Sequence, residues 1–278
     1  MLAVPERPAS QRGAGHQRRR DVHLIDIHSH ILPGLDDGSK SLEESVAMLR
    51  LATEAGTTDI VATPHADPQY PFSPEAVEQR IAEVAAAAGC APRIHYGCDF
   101  HLSFDNIHDA LAHPTRYTVN HRRYLLVEFS DLLIPRNTDE ILDRLLAAGM
   151  IPIVTHPERN RHLRNRVDAL DAWRRKGCLM QITGDSLLGR WGREAADFCD
   201  ALMRRDLVDF VASDGHDTEF RPPRLDEAFD LVARRYGDGD AARLMKLNPA
   251  AVIAGEPLPA ADTPVSADEG SKWYRFWE

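Results

Sequence analysis

Short apolar runs alternate with longer amphipathic segments along most of this 278-residue chain. The runs are rich in Val, Ile and Leu, which is typical of strands that are buried on both faces of a sheet. In the segments between them, apolar residues recur at helical spacing. We predict strands at Val22–Ile27, Asp59–Thr63, Arg93–Gly97, Tyr124–Glu128, Ile151–Thr155, Leu179–Thr183 and Val208–Ser213.

Start and stop signals mark helices between these strands. Ser41 and Glu44 have capping-box spacing at the start of one amphipathic segment, and Pro74 occupies the first helical position of the next. Glycine follows the end of each segment, as is common after helices. We predict helices at Ser41–Ala55, Pro74–Ala88, Thr138–Ala148 and Val167–Lys176. The alternation of strands and helices predicts βα units and a parallel sheet.

A histidine or a carboxylate closes nearly every apolar run. These residues are His28, His30, His65, Asp99, Glu128, His156, Asp214 and His216. In a β/α barrel the carboxyl ends of all strands meet at one face, so distant segments can supply one site. In an open doubly wound sheet the outer strands would lie too far from a shared crevice. We therefore expect an α/β fold with a closed or nearly closed barrel, in a single domain over residues 21–255.

The chemistry of these side chains favours a metal site. Histidine and carboxylate ligands without thiolates suit Mn²⁺, Fe²⁺ or Zn²⁺, and the set exceeds what one ion needs. Clustered divalent cations are suited to the hydrolysis of phosphate esters, and Arg159 and Arg221 are candidates for binding the phosphate. Asp36 and Asp37 precede Gly38, and taken alone they are explained as well by a turn as by a site.

Charge and composition exclude some classes of protein. The formal net charge of −10 and the lack of a basic stripe argue against a nucleic-acid partner. No apolar stretch is long enough to span a bilayer, so we expect no membrane insertion and a cytoplasmic location. The four cysteines lie in or beside apolar runs without a CxxC pair, which predicts buried, reduced thiols.

The two ends of the chain differ from its middle. Residues 1–20 are rich in Arg, Gln, Gly and Pro, and we predict a disordered basic extension there. Residues 256–278 form a tail that is rich in Pro and Ala and carries the aromatic residues Trp273, Tyr274, Phe276 and Trp277. We expect this aromatic string to dock on the body of the domain.

The order of these motifs resembles that of the polymerase-and-histidinol-phosphatase (PHP) superfamily. More narrowly, the chain is similar to the bacterial manganese-dependent tyrosine phosphatases of capsule and exopolysaccharide operons, from about Ile25 to Pro249. The segments that carry the similarity are Asp26–His30, Leu35–Gly38, Leu42–Ser45, Val127–Phe129, Ile153–Arg159, Val211–His216 and Arg221–Pro223. Their combination is specific, although no single motif is.

The resemblance implies a distorted seven-stranded β/α barrel with three clustered divalent metals, Mn²⁺ first and Fe²⁺ or Zn²⁺ as alternatives. It implies as metal ligands His28, His30, Asp37, His65, Asp99, Glu128, His156, Asp214 and His216. Arg159 and Arg221 would bind phosphate, and either Asp37 or a metal-bound water would be the proton donor to the leaving phenolate. A metal-bound hydroxide would attack a phosphotyrosine on the tail of a bacterial tyrosine kinase that controls polysaccharide export, without a phospho-enzyme.

Two positions depart from the family pattern. Asp99 stands where the family usually has glutamate, and Ala66 stands where it often has a second histidine. We expect Asp99 to remain a ligand, because aspartate is also a hard oxygen donor. A catalytically impaired metal-binding scaffold is the alternative that this departure leaves open.

Other functions and mechanisms also remain open. The substrate of the same metal site is alternatively a small phosphomonoester such as histidinol phosphate. Cys199 and Arg205 formally fit the C-x5-R pattern of cysteine phosphatases, but the segment lacks glycine and has the pattern of an amphipathic helix. The oligomeric state is not determined by the sequence.

Overall fold

The computed structural model describes residues 23–89 and 92–260. These residues contain nine strands in two parallel sheets, ordered β1-β2-β4 and β3-β5-β6-β7-β8-β9. The strands are β1 Leu24–Ser29, β2 Thr57–Ala62, β3 His65–Ala66, β4 Arg93–Tyr96, β5 Asp99–His101, β6 Tyr124–Glu128, β7 Ile151–Thr155, β8 Leu179–Thr183 and β9 Phe210–Ala212. The α/β class with parallel strands is thereby confirmed.

Helices connect most of the successive strands. They are α1 Leu42–Glu54, α2 Pro74–Ala88, α3 Phe104–Ala112, α4 Thr138–Ala147, α5 Arg161–Arg164, α6 Val167–Lys176, α7 Gly184–Leu187, α8 Arg193–Arg204, α9 Asp226–Tyr236, α10 Asp238–Ala242 and α11 Asn248–Ala254. The four predicted helices are present within one residue of their expected ends. The Ser41 hydroxyl accepts from the Glu44 backbone N–H at the start of α1, and Gly177 ends α6 in the left-handed conformation.

The strand predictions were correct for β6, β7 and β8 and shifted at the other strands. The first strand runs to Ser29, so His28 lies inside it instead of beyond it. Two strands were missed, β3 and β5, because runs of two and three residues are too short to show a period. They pair in parallel with His65 opposite Asp99, which brings these two predicted ligands side by side.

The two sheets meet where β1 lies beside the segment that follows β9. A parallel bridge joins Ser29 to Gly215. The backbone N–H of Asp214 donates to the carbonyl of His28 at 2.9 Å, and that of His30 donates to the carbonyl of Gly215 at 2.8 Å. The strands are thus hydrogen-bonded as units of three and six, and the seven-stranded barrel stays a prediction.

Apolar side chains from strands of both sheets pack together in one core. It includes Ile27, Val61, Leu126, Ile153 and Phe210, all of them fully buried and contributed by five different strands. Burying a side chain of this size stabilises the fold by about 1.5–3 kcal/mol. Within the described residues, no helix is both long enough and apolar enough to cross a membrane.

The predictions for the chain ends are largely outside the described residues. This holds for the basic extension of residues 1–20 and for the aromatic string Trp273, Tyr274, Phe276 and Trp277. The division into a domain over residues 21–255 and a tail over residues 256–278 stays a prediction.

Candidate active site

All nine predicted ligands come together, seven of them near or beyond the carboxyl end of a strand and two, His65 and Asp99, at the first residue of β3 and β5. His28, His65, Asp99 and Glu128 lie on strands β1, β3, β5 and β6, and the others lie on connections that follow strands. Their donor atoms form four overlapping groups, each with its atoms within 4.8 Å of one another: His30–Asp37–His65–His216, His28–His156–Asp214, His28–His30–Asp99 and His65–Asp99–Glu128. Because His28, His30, His65 and Asp99 belong to more than one group, the nine side chains form one connected cluster.

The centre of this cluster is deeply buried and its edge is open. The side chains of His28 and Asp99 are fully buried, whereas Asp37 is 49% exposed. Asp37 Oδ1 lies 3.4 Å from His65 Nε2 and 3.5 Å from His216 Nε2. Burying a carboxylate such as Asp99 is costly unless positive charge compensates it, so the arrangement favours cations at its centre.

Two side chains that the sequence analysis did not assign to the site orient its histidines. The His30 ring donates through Nδ1 to Asp36 Oδ2 at 2.7 Å, and the His28 ring donates through Nδ1 to Gln181 Oε1 at 2.8 Å. Each ring therefore directs its Nε2 inward, and the two Nε2 atoms lie only 3.2 Å apart. Two imidazole nitrogens that face each other in this way are suited to binding a shared cation.

Two polar atoms at the centre of the cluster lack hydrogen-bond partners. Asp99 Oδ2 and His65 Nδ1 are both buried and unpaired, although they lie only 3.3 Å apart. Glu128 Oε2 lies 3.5 Å from the same His65 nitrogen. Buried polar atoms without partners are rare, and a divalent cation would coordinate all three. The residues present fit a metal of the hard to intermediate type.

The carboxylates of the cluster attract positive charge to its centre. Burial opposes ionisation of His28, but Asp214 and Asp99 outweigh it and raise the pKa of His28 to about 9. Burial likewise opposes ionisation of His65, and Asp37 and Asp99 raise its pKa to about 12. A proton on these rings compensates the carboxylates, which is the electrostatic task that a bound cation would perform.

Two further histidines of the cluster, His156 and His216, are held neutral. Burial, with a further contribution from Arg159, keeps the pKa of His156 well below its usual range. Burial and the neighbouring His30 lower the pKa of His216 to about 4. Neutral imidazole is the form that binds metals, so both rings are in a suitable state near pH 7.

Both predicted phosphate-binding arginines contact the cluster through one carboxylate. The guanidinium groups of Arg159 and Arg221 donate to Asp214 Oδ2, the latter at 2.6 Å. The other oxygen, Asp214 Oδ1, lies 3.4 Å from His28 Nε2 and 3.3 Å from His30 Nε2. Asp214 therefore joins the arginines to the histidines, and a group bound between them would contact both.

The profile of the capsular polysaccharide synthesis family CpsB/CapC matches residues 24–254. This chain belongs to the CpsB/CapC family. A relative in Bacillus subtilis, the tyrosine-protein phosphatase YwqE, is 32% identical over 218 residues, which cover 77% of this chain and 85% of YwqE. The tyrosine-protein phosphatase CpsB of Streptococcus pneumoniae is 32% identical over 242 residues, which cover 83% of this chain and 98% of CpsB.

Two solved structures are also similar to this chain, the first in sequence and fold and the second in fold. A crystal structure from a study of YwqE and CpsB, described as metal-dependent tyrosine phosphatases, matches with a TM-score of 0.78 and 29% identity over 87% of this chain and 100% of that chain. A phosphotriesterase homology protein from Escherichia coli, with phosphate in its active site, matches with a TM-score of 0.57 at 11% identity. The second likeness concerns the fold alone. The match to the structure from the study of YwqE and CpsB confirms the predicted resemblance to metal-dependent tyrosine phosphatases.

Within this CpsB/CapC chain, a tryptophan supports the two arginines. The Arg159 guanidinium carbon lies 3.8 Å from the centroid of the Trp191 ring, and that of Arg221 lies 5.4 Å away. These are cation–π distances, so the indole face restrains both guanidinium groups beside Asp214. No sequence pattern pointed to Trp191, whereas Gln181 carried a signal as a polar residue inside an otherwise apolar strand.

The cysteine alternative does not agree with the structure. Cys199 lies inside helix α8, where it is fully buried, and Arg205 is the residue that caps this helix. Burial raises the pKa of the Cys199 thiol well above its usual range. A nucleophilic cysteine needs an accessible thiolate and a loop of backbone amides around the phosphate, and this helix provides neither.

Proposed function

We propose that this chain is a metal-dependent protein-tyrosine phosphatase that acts in capsule or exopolysaccharide synthesis. The observation that carries the proposal is the convergence of nine histidine and carboxylate side chains, beside two arginines, in one cluster. Hydrolysis of a phosphomonoester requires stabilisation of the phosphoryl oxygens and the leaving oxygen, for which cations and arginines are suited. The activity in the names of the relatives supports phosphotyrosine as the substrate.

The metal ligands are part of this proposal. We propose a cluster of three divalent cations, Mn²⁺ first and Fe²⁺ or Zn²⁺ as alternatives. The proposed ligands are His28, His30, Asp37, His65, Asp99, Glu128, His156, Asp214 and His216. Such cations supply Lewis acidity for the phosphoryl oxygens and activate water. The shorter Asp99 stays among the ligands, because its Oδ2 lies 3.6 Å from His28 Nε2 and 3.3 Å from His65 Nδ1.

The remaining roles belong to side chains at the edge of the cluster. Arg159 and Arg221 would bind the phosphoryl oxygens, and their contacts with the anionic Asp214 Oδ2 support this role. Trp191 would keep both guanidinium groups in position. Asp37 is half exposed at the open side, where it would contribute a ligand oxygen. Hydrogen bonds to His216 and His65 hold the pKa of Asp37 well below its usual range, so its carboxyl is ionised near neutral pH. In place of Asp37, a water bound in the site would protonate the leaving phenolate.

The proposed substrate is the phosphotyrosine-bearing tail of a bacterial tyrosine kinase that controls polysaccharide synthesis. We also propose a cytoplasmic location for the enzyme. Cys98, Cys178 and Cys199 are buried free thiols, which supports a reducing compartment.

We further propose that the two sheets form one distorted barrel with seven strand positions. In this arrangement β3 continues β2 and β5 continues β4, since β2 pairs with β4 and β3 pairs with β5. The bridge between Ser29 and Gly215 then closes the barrel between β1 and β9. A barrel of this kind accounts for ligands that come from the first strand to the last.

Phosphate release from three substrates, and its response to two added reagents, tests the function. Purified protein loaded with Mn²⁺ should hydrolyse a phosphotyrosyl peptide faster than the corresponding phosphoseryl peptide or histidinol phosphate at equal concentration. A chelator should abolish this activity and iodoacetamide should leave it intact. Activity that survives the chelator and is lost with iodoacetamide would contradict the mechanism, and a preference for histidinol phosphate would instead indicate a metabolite phosphatase.

A further inference from the structure

The large apolar side chains that the described residues leave exposed all lie on the active-site side of the molecule. These residues, here called the apolar rim, are Leu42, Phe104, Leu132, Leu133, Trp191 and Phe220, and they are 38% to 84% exposed. Each lies on the segment between the carboxyl end of a strand and a later helix, or is the first residue of that helix. Within residues 23–89 and 92–260, no large exposed apolar side chain lies on a connection from a helix to a strand.

The apolar rim lies next to residues of the pocket. Phe220 directly precedes Arg221, and Leu132 lies on the connection that follows Glu128, the last residue of β6. Trp191 contacts the Arg159 guanidinium through its ring and is still 40% exposed. Three of the six rim side chains are therefore close, in space or along the chain, to residues of the proposed active site.

Single exposed apolar residues are ordinary on protein surfaces, but their concentration on one functional face is informative. The most exposed of them, Phe104 and Phe220, are 83% and 84% exposed and follow different strands. A small phosphomonoester fills only the centre and leaves such side chains in water. A polypeptide with a phosphorylated residue in the centre extends across the rim and removes apolar surface from water.

We infer that the apolar rim is a docking surface that binds apolar side chains on both sides of a phosphotyrosine in a polypeptide. The inference rests on the proposed phosphatase function and adds a sequence preference to it. The occupant has to bring an anionic group to the two arginines and apolar groups around it, because Arg159 and Arg221 lie beside Trp191 of the rim. A second copy of this chain would bring the same arginine-bearing centre instead of an anion.

Two phosphotyrosyl peptides test this inference without any change to the protein. They are identical except that leucine and phenylalanine on both sides of the phosphotyrosine in one peptide are serine in the other. For the Mn²⁺-loaded protein we expect kcat/KM to be about tenfold higher for the apolar peptide, which corresponds to about 1.4 kcal/mol. Equal values for the two peptides would overturn the inference.

Substitutions in the rim sharpen the test. Phe220→Ser and Leu132→Ser should each bring the ratio of the two kcat/KM values closer to one, whereas Phe220→Leu should retain most of it. Arg205→Ser is the matched control, because Arg205 is exposed at the carboxyl end of helix α8, on a helix-to-strand connection. Thermal unfolding of each variant checks that it folds. A ratio that stays at the wild-type value in both serine variants would overturn the inference.

Two further results separate this inference from the proposed function. If the rim variants dissociate a dimer in sedimentation experiments without changing the peptide ratio, the rim is an interface between copies and the inference is wrong. If the metal-loaded protein releases phosphate from neither peptide nor from free phosphotyrosine, the proposed function itself fails and the inference fails with it. Release from both peptides at the same rate overturns the inference alone.

Discussion

Two buried aspartates in this chain each lie beside a histidine, and they differ in how their oxygens are satisfied. Asp59, on β2, accepts from Arg93 Nε and His95 Nε2, both at 2.9 Å, and also from Arg93 Nη2 at 3.1 Å. Asp99, on β5, has an Oδ2 atom without a hydrogen-bond partner, 3.3 Å from an equally unpaired His65 Nδ1. Both carboxylates are buried, yet only the first has all the protein partners that its burial requires.

The difference shows how a structural ion pair is distinguished from a binding site. The hydrogen bonds of Asp59 compensate the cost of its burial, so this group supports the fold and needs no ligand. The site around Asp99 gathers donor atoms whose partners are missing, and such a site is completed by a cation. Asp59 and Asp99 are the same type of residue and both are buried. They differ in the number of unpaired polar atoms around them.

Removing a proposed metal ligand from the cluster around Asp99 should have the largest effect on activity. For His28→Ala we expect loss of bound metal and a decrease in kcat/KM on the order of 10³–10⁴-fold, because His28 belongs to two of the donor groups. Elemental analysis and steady-state kinetics on a phosphotyrosyl peptide measure the two effects. A variant with full metal content and wild-type turnover would remove His28 from the ligand set.

Removing an arginine that we propose to bind phosphate should affect turnover alone. Arg159→Ala is expected to lower kcat/KM by about 10²–10³-fold, because a positioned donor to the developing charge is lost. Metal content should remain at the wild-type value. Loss of metal in this variant would mean that Arg159 supports the ligands, through its contact with Asp214, more than it supports the substrate.

Changing a residue that orients a ligand should have an intermediate effect. Gln181→Ala leaves the Nδ1 atom of His28 without its acceptor, and we expect a loss of metal affinity of about 10–100-fold. Gln181→Glu, which keeps an acceptor oxygen, is the matched control and should bind metal more tightly than the alanine variant. Metal titration followed by calorimetry measures this, and equal affinities in the wild type and Gln181→Ala would contradict it.

Changing Asp59, whose carboxylate has its hydrogen-bond partners within the protein, should leave turnover intact and lower the free energy of unfolding. For Asp59→Asn we expect unchanged metal content and kcat/KM, with a decrease in the free energy of unfolding of about 1–3 kcal/mol from weakened hydrogen bonds to a buried charge. Denaturant unfolding and steady-state kinetics measure the two quantities. Loss of activity in a fully folded variant would contradict the contrast between the two aspartates.

The effect of Asp59→Asn on the free energy of unfolding should depend on pH. Although burial opposes ionisation, His95 and Arg93 hold the pKa of Asp59 below its usual value in the folded state. The stabilising contribution is therefore fully present above the unfolded-state pKa of about 3.9 and is lost as the pH falls through the folded-state pKa. The stability difference between the wild type and Asp59→Asn should be present at pH 7 and should shrink below about pH 4. A difference that grows on acidification would contradict this assignment.

Much of the candidate site could be predicted from the sequence, since its ligands follow strands that are visible as apolar runs. Glu128 and Asp214 could be found in this way. The strands of His65 and Asp99 could not, because β3 and β5 are too short for a period of two to appear. Trp191 could not be found either, since it follows no motif and becomes relevant only through contact with Arg159.

The sequence by itself determined the alternation of strands and helices, the order of the ligands and the family, because each depends on local patterns along the chain. Only the tertiary structure decided which polar atoms remain unpaired, which side chains orient the histidines and where the exposed apolar residues gather. Gln181 and His28 are separated by 153 positions yet lie at hydrogen-bond distance. Such contacts depend on how the strands are brought together, and local propensity contains no information about them.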